Sequence, residues 1–267
     1  MVENFRMKDR YTIDDLREIV TILRAPGGCP WDREQTHETL KKDLIEECYE
    51  VIEAINKGDP AMLREELGDV LLQVVFHADL ARDENAFGFD DVCDEICKKL
   101  IVRHPHVFGD VKVSSTEEVL DNWDEIKKKT KNQKTLAETI ESVPRELPAL
   151  MRTQKIQKKA SKSGYDFPDT LSALAKVEEE LAEVRAALAE KDAEAASKEL
   201  GDLLFSVVNV CRFADADAEE ALTGSTDTFV RRVLKTEELA NAEGVDITGS
   251  IAEFDRLWEE AKRILSK

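Results

Sequence analysis

The stretch Leu44 to Val75, LIEECYEVIEAINKGDPAMLREELGDVLLQVV, decides the fold of this chain. Glu47 and Glu50 stand three apart, and Glu66 and Asp69 stand three apart again. Residues at that spacing share one face of a helix. Leu44, Val51 and Ile55 predict an apolar stripe on the first helix, with both glutamates at or beside it. Lys57-Gly58-Asp59-Pro60 ends that helix, because glycine suits the C-terminal cap and proline cannot continue it. A second helix is expected from near Ala61 through Leu63, Leu67, Val70, Leu71, Val74 and Val75. So short a connection makes the helices antiparallel neighbours, so that two carboxylates from each converge.

The pattern recurs 133 residues on, at Glu180, Glu183, Glu199 and Asp202. Leu67-Gly68-Asp69 returns as Leu200-Gly201-Asp202, and Val74-Val75 as Val207-Val208. One Glu-x-x-Glu is weak, since glutamate is common on helix surfaces; the paired motif repeated at a fixed distance argues against a merely solvated face. Four carboxylates with no nearby His or Cys are hard oxygen donors, which suit Mg²⁺ or Mn²⁺. Without a cation their mutual repulsion is costly. Asp69 and Asp202 directly precede the apolar runs VLLQVV and LLFSVV, which predicts partial burial and the need for a partner.

The chain has 267 residues, enough for two ordinary domains. Its 38 basic and 57 acidic residues leave a net charge of −19, the wrong sign for a nucleic-acid surface. A nucleotide bridged to acids by a metal remains compatible. No apolar run approaches the roughly 18 residues of a membrane span, and MVENFRMKDR has no apolar signal core. The five cysteines form no CxxC pair; Cys93 and Cys97, four apart, are expected to pack on a helix. Reduced thiols and a cytoplasmic setting follow as expectations.

Few glycines and prolines and pervasive helical periodicity predict an all-α chain of two tandem domains, 1–130 and 147–267, joined by a linker at 131–146. In the first, a helix opens at Thr12 and a breaker-rich loop spans Ala25 to Asp32. After the acidic pair, Arg82 to Phe89 reads as a loop, Asp90 as a helix cap, Arg103 to Gly109 as a break, and Thr116 as a further helix start. The basic run Lys127 to Lys134 reads as linker or frayed helix end. In the second, helices are expected after Leu147, over Leu171–Ala189, Ala193–Phe213 and Ala216–Val233, with a loop over Asn241 to Gly249. Ser250 is expected to cap the last helix.

GGCPWDREQTH (Gly27 to His37), LIEECYEV (Leu44 to Val51), ELGDVLLQVVFHA (Glu66 to Ala78), RHPHVF (Arg103 to Phe108), LPALMRTQKIQKKA (Leu147 to Ala160) and KELGDLLF (Lys198 to Phe205) resemble the bacterial MazG family of nucleoside triphosphate pyrophosphohydrolases in its two-domain form. The resemblance covers nearly the whole chain. It implies all-α domains, a homodimer, and Mg²⁺-dependent hydrolysis of nucleoside triphosphates, ATP among them, to the monophosphate and pyrophosphate. Carried over, Glu180, Glu183, Glu199 and Asp202 hold metal in the second domain, with Glu47, Glu50, Glu66 and Asp69 as first-domain counterparts. Lys176, Val177, Glu178, Glu179, Glu180, Lys198, Asp202, Arg231, Arg232 and Trp258 match positions around the nucleotide. Arginine offers a fork matched to phosphate, and Trp258 a face for any base. Glu46 and Glu179 are candidate bases for water.

The chain also departs from the family. Relatives often carry two arginines before HPHVF, where this sequence has Val102 and Arg103; the second domain keeps Arg231 and Arg232. That predicts turnover mostly in the second domain. Ala195, Ala196 and Ser197 stand where relatives are more charged. His104 and His106, among Pro and Phe, read as a structural turn. Three rivals are a di-iron carboxylate bundle, which the absence of Glu-x-x-His disfavours, a cation-binding helical scaffold, and a pyrophosphatase narrow for one deoxynucleotide.

Overall fold

The computed structural model describes residues 5–130, 135–246 and 251–266, and among them every regular element is a helix. The chain divides into two compact units, Met1–Lys127 and Lys128–Lys267.

The first unit holds α1 (Ile13–Arg24), α2 (Pro30–Glu34), α3 (Lys41–Lys57), α4 (Pro60–Asp83), α5 (Phe89–Arg103), α6 (Pro105–Phe108) and the start of α7 (Thr116–Thr130). Gly58 closes α3 in the left-handed region at φ 63°. Asp59 then caps α4, its carboxylate accepting from the backbone N–H groups of Ala61 and Met62 at 2.9 and 3.1 Å. A glycine that can turn left and an aspartate that satisfies orphan donors are what reverse the chain in two residues. The core lies where α1 crosses the C-terminal half of α4: Val20, Leu40, Val75, Phe76 and Leu80, flanked by Leu16, Leu72 and Phe89. Buried Asp79 sits beside this core, paired with Arg24 and accepting from Thr21 Oγ1 at 2.8 Å, so the charge is not stranded.

The second unit holds α8 (Leu136–Glu141), α9 (Ala149–Ser161), α10 (Thr170–Glu190), α11 (Ala193–Phe213), α12 (Ala218–Glu243) and α13 (Ile251–Leu265), together with the end of α7. Its buried positions are mostly small: Ala173, Ala187, Ala196, Ala218, Ala240 and Ala261, with Val184, Val208 and Leu257. Gln154 staples the α11–α12 corner, donating to Ala216 O at 2.7 Å and accepting from Ala218 N at 2.9 Å.

Several expectations need correction. The breaker-rich loop contains α2, which starts at Pro30 because proline suits a first helical position. Gly88, not Asp90, caps α5, with Asp91 reaching back to its N–H. Helix α7 runs to Thr130, and residues 131–134 lie outside the described residues. The rest of the stretch read as a linker carries α8, which packs on α9, and Val143 is buried behind it. Helix α12 continues to Glu243; 247–250, and with them the Ser250 cap, lie outside the described residues. Cys93 and Cys97 are exposed, not packed. Ile55, on the expected apolar stripe, faces out, and so do Leu67 and Leu71 of α4.

Candidate metal and phosphate site

Each acidic helix pair brings three carboxylates together. One oxygen from each of Glu47, Glu66 and Asp69 lies within 4.8 Å of the others in the first unit; Glu180, Glu199 and Asp202 do the same in the second. The fourth acid stands next to each trio. Glu50 stands beside Glu47, and Glu183 beside Glu199. Asp69 is half-buried as expected, but Asp202 is exposed, because α11 turns that position toward solvent.

The two clusters balance their charge differently. In the first, burial and the neighbouring Asp69, Glu50 and Glu66 push Glu47 up to about 7. Glu66 rises too, through desolvation and the charges of Glu50 and Glu65. In the second, two lysines lie among the acids. Lys176 Nζ donates to Glu180 at 2.6 Å and to Glu179 at 2.9 Å. Lys198 Nζ donates to Glu199 at 2.8 Å and to Asp202 at 3.2 Å. Both ammonium groups are held charged by these bonds. Lys198 draws the Glu199 carboxyl below its ordinary range, while the neighbouring Glu199 and Glu180 carboxylates raise Glu183.

A cation fits the second cluster on its own chemistry. Glu180 is only 5% exposed. Its Oε2, and that of Glu199, are buried with no hydrogen-bond partner. Buried carboxylate oxygens without a donor are rare in folded proteins, and a bound cation would satisfy them here.

Of the remaining predicted residues, Val177 is half-buried and Glu178 exposed on α10. Arg231 and Arg232 line a cleft with Thr228 and Lys262, formed between α12 and α13. Among the described residues no hydrogen bond joins them to the carboxylates. Trp258 is half-buried, packed against Phe229 and Phe254 at ring-centroid distances of 5.6 and 5.8 Å. In the first unit Arg103 lies over Trp123, and His104 meets the same ring edge-on, as a structural turn requires. Counting from the helix caps Gly88 and Asp217, Arg103 corresponds to Arg232 and exposed Val102 to Arg231.

Sequence reasoning missed Lys262, which its distance along the chain concealed. It also missed the contrast at the lysines, although the 133-residue register carries it: Lys176 and Lys198 correspond to Asp43 and Glu65. The stacked His37–His77 pair, with Nδ1 atoms 2.7 Å apart, left no sequence signal.

Comparison with known proteins places these features in a family. The family model of the MazG nucleotide pyrophosphohydrolase domain matches residues 35–108 and again 169–235, each match containing one acidic helix pair. The Thermotoga maritima nucleoside triphosphate pyrophosphohydrolase/pyrophosphatase MazG is 46% identical over 250 residues, 93% of this chain and 95% of the relative. The nucleoside triphosphate pyrophosphohydrolase of Escherichia coli K12 is 42% identical over 255 residues, 94% of this chain and 97% of the relative. Bacillus subtilis YabN, an uncharacterised protein, is 48% identical over 248 residues, 92% of this chain and 50% of its own length. This chain belongs to the MazG nucleotide pyrophosphohydrolase family.

Proposed function

We propose that this chain is a Mg²⁺-dependent nucleoside triphosphate pyrophosphohydrolase, cleaving at the α-phosphorus to release a monophosphate and pyrophosphate, chiefly in its second unit. The observation that carries this reading is the trio Glu180, Glu199 and Asp202 with its two orphaned buried oxygens, inside a chain 42–46% identical to proteins of that name. Mg²⁺ fits an all-oxygen site and supplies charge neutralisation and acidification of a bound water. Glu180, Glu199 and Asp202 hold it. Lys176 and Lys198 orient the carboxylates and meet phosphate oxygens. Arg231, Arg232 and Lys262 form a basic cleft suited to the same triphosphate. Trp258 and Phe229 present an aromatic surface for the base, tolerant of its identity. Glu179 is tied to Lys176, which places a second carboxylate beside the metal set as a candidate proton acceptor.

A homodimer is part of the proposal. The chain exposes 19171 Å², whereas two independent globular units of half its mass would expose about 14,000 Å² together. Leu200, Leu204 and Val207 form an exposed apolar row on α11, and Ile45, Tyr49 and Ile52 another on α3. A second copy covers such rows most simply. No described helix is long and apolar enough to cross a membrane, and all five cysteines are free, in keeping with a cytoplasmic setting.

Product analysis tests the reading. ATP and each dNTP are incubated with wild type, Glu66→Ala and Glu199→Ala, with and without Mg²⁺. The expected result is monophosphate plus pyrophosphate, Mg²⁺-dependent, lost in Glu199→Ala and kept in Glu66→Ala. Diphosphate plus phosphate would overturn the site of attack. No turnover of any triphosphate would favour a cation-binding scaffold.

A further inference from the structure

We infer that Lys176 and Lys198 act as resident counterions of the second-unit centre, so that it takes up its divalent ion together with a triphosphate rather than as a free ion. The inference rests on the pyrophosphohydrolase reading above and concerns how that same site is filled.

Three carboxylates converge here, and each already has an ammonium group. Lys176 Nζ stands 2.6 Å from Glu180, and Lys198 Nζ stands 2.8 Å from Glu199 and 3.2 Å from Asp202. These bonds take one oxygen of each glutamate and leave Oε2 of Glu180 and of Glu199 buried and unpartnered. The centre is thus partly neutralised by the chain yet unfinished: two ammonium groups offset part of the negative charge while two buried acceptors still lack a partner.

A free dication entering this arrangement gains carboxylate oxygens but must compete with two ammonium groups for them. Displaced lysines would return to water with nothing to pair with. A triphosphate changes that balance. Its oxygens take over the ammonium groups as the metal takes over the carboxylates, so the charge pairing is exchanged and not lost. Metal and nucleotide then raise each other's affinity by one common factor, as linkage demands.

The first unit provides the contrast within the same chain. Its trio occupies the same register, but Asp43 and Glu65 replace the two lysines. Among the described residues no lysine is ion-paired to Glu47, Glu66 or Asp69, so the lysine effect belongs to the second unit.

The test measures binding without turnover. Mn²⁺ is titrated by electron paramagnetic resonance into full-length Glu66→Gln protein, which removes a first-unit contribution. It is repeated with α,β-methylene ATP, whose α–β bridge cannot be hydrolysed. Adding Lys176→Met and Lys198→Met should tighten free Mn²⁺ about tenfold, since each removes a competing ion pair of modest strength. The analogue should tighten Mn²⁺ at least about tenfold with the lysines present and by less than about threefold without them. Lys198→Met alone, an exposed position on α11, should give an intermediate shift and guards against misfolding of the double variant. Equal free-Mn²⁺ affinity with and without the lysines overturns the inference, as does an analogue that leaves Mn²⁺ affinity unchanged. Failure of the parent reading shows separately, as absence of pyrophosphate release by the wild-type protein.

Discussion

At positions 43 and 65 the first unit has an aspartate and a glutamate, where the second unit, 133 residues on, has Lys176 and Lys198. The helix pairs are otherwise alike: the same acid spacing, the same two-residue turn, the same convergence of three carboxylates. One centre is held by protons, with Glu47 pushed up to about 7; the other is held by ammonium groups. A duplicated motif therefore preserves a scaffold without preserving its electrostatics. The unit that keeps lysines also keeps the arginine pair, Arg231 and Arg232, where the first has Val102 and Arg103. Two independent changes, on different helices, point the same way.

Reversing the charges should break the comparison most severely. Lys176→Asp with Lys198→Glu, which writes the first-unit residues into the second, is expected to lower kcat/KM for ATP by more than about 100-fold, equivalent to roughly 2.7 kcal/mol of lost transition-state stabilisation. The reciprocal change, Asp43→Lys with Glu65→Lys, should alter it less than about twofold. A large loss from the first-unit change would mean that both centres turn over. Next in size, Arg231→Ala should cost about tenfold or more in pyrophosphate release, beyond whatever Arg103→Ala costs. Equal losses would remove the arginine half of the argument.

How much of this was legible in the sequence follows from which interactions are local. Helix pairs, turns and the acidic register are set by residues within one or two turns of each other, so Gly58-Asp59-Pro60 announced itself. Helix α8 was hidden because its six residues carry too short a period, although Thr135 and Glu138 form a capping box that marks its start. Which face of an amphipathic helix is covered depends on partners that the local pattern does not name, so Ile55, on the expected apolar stripe, is exposed. The α12–α13 cleft joins Arg231 to Lys262, a pairing that no local pattern encodes.

The proton-held centre should also reveal itself in stability. Glu47 titrates near 7 in the folded chain against 4.5 for an ordinary glutamate, so the native state binds a proton that the unfolded state releases. Stability of the first unit should then fall as pH rises from about 4.5 to about 7, by about 1–2 kcal/mol after allowance for its part exposure. Thermal melts in chelator, followed through Trp31 and Trp123, measure it. Glu47→Gln should flatten the slope, and millimolar Mg²⁺ should reverse it by binding the ionised form. A melt independent of pH across that window would show that the carboxylates are spread by solvent.

The smallest effect concerns the turn that makes both centres possible. Gly58 and Lys191 occupy the same place, at φ 63° and 57°, in the left-handed region that costs a residue with a Cβ roughly 1–2 kcal/mol. Glycine escapes that cost but loses more backbone entropy on folding, which returns part of it. Lys191→Gly should therefore stabilise the second unit by about 0.5–1 kcal/mol, and Gly58→Lys should destabilise the first by a similar amount. Trp258 is the one tryptophan of the second unit, so urea denaturation of a Trp31→Phe, Trp123→Phe background isolates its midpoint. If Lys191→Gly lowers that midpoint, the lysine side chain must contribute at the turn more than its backbone strain removes. The first unit's glycine would then be the weaker solution, and not the relaxed form of the same turn.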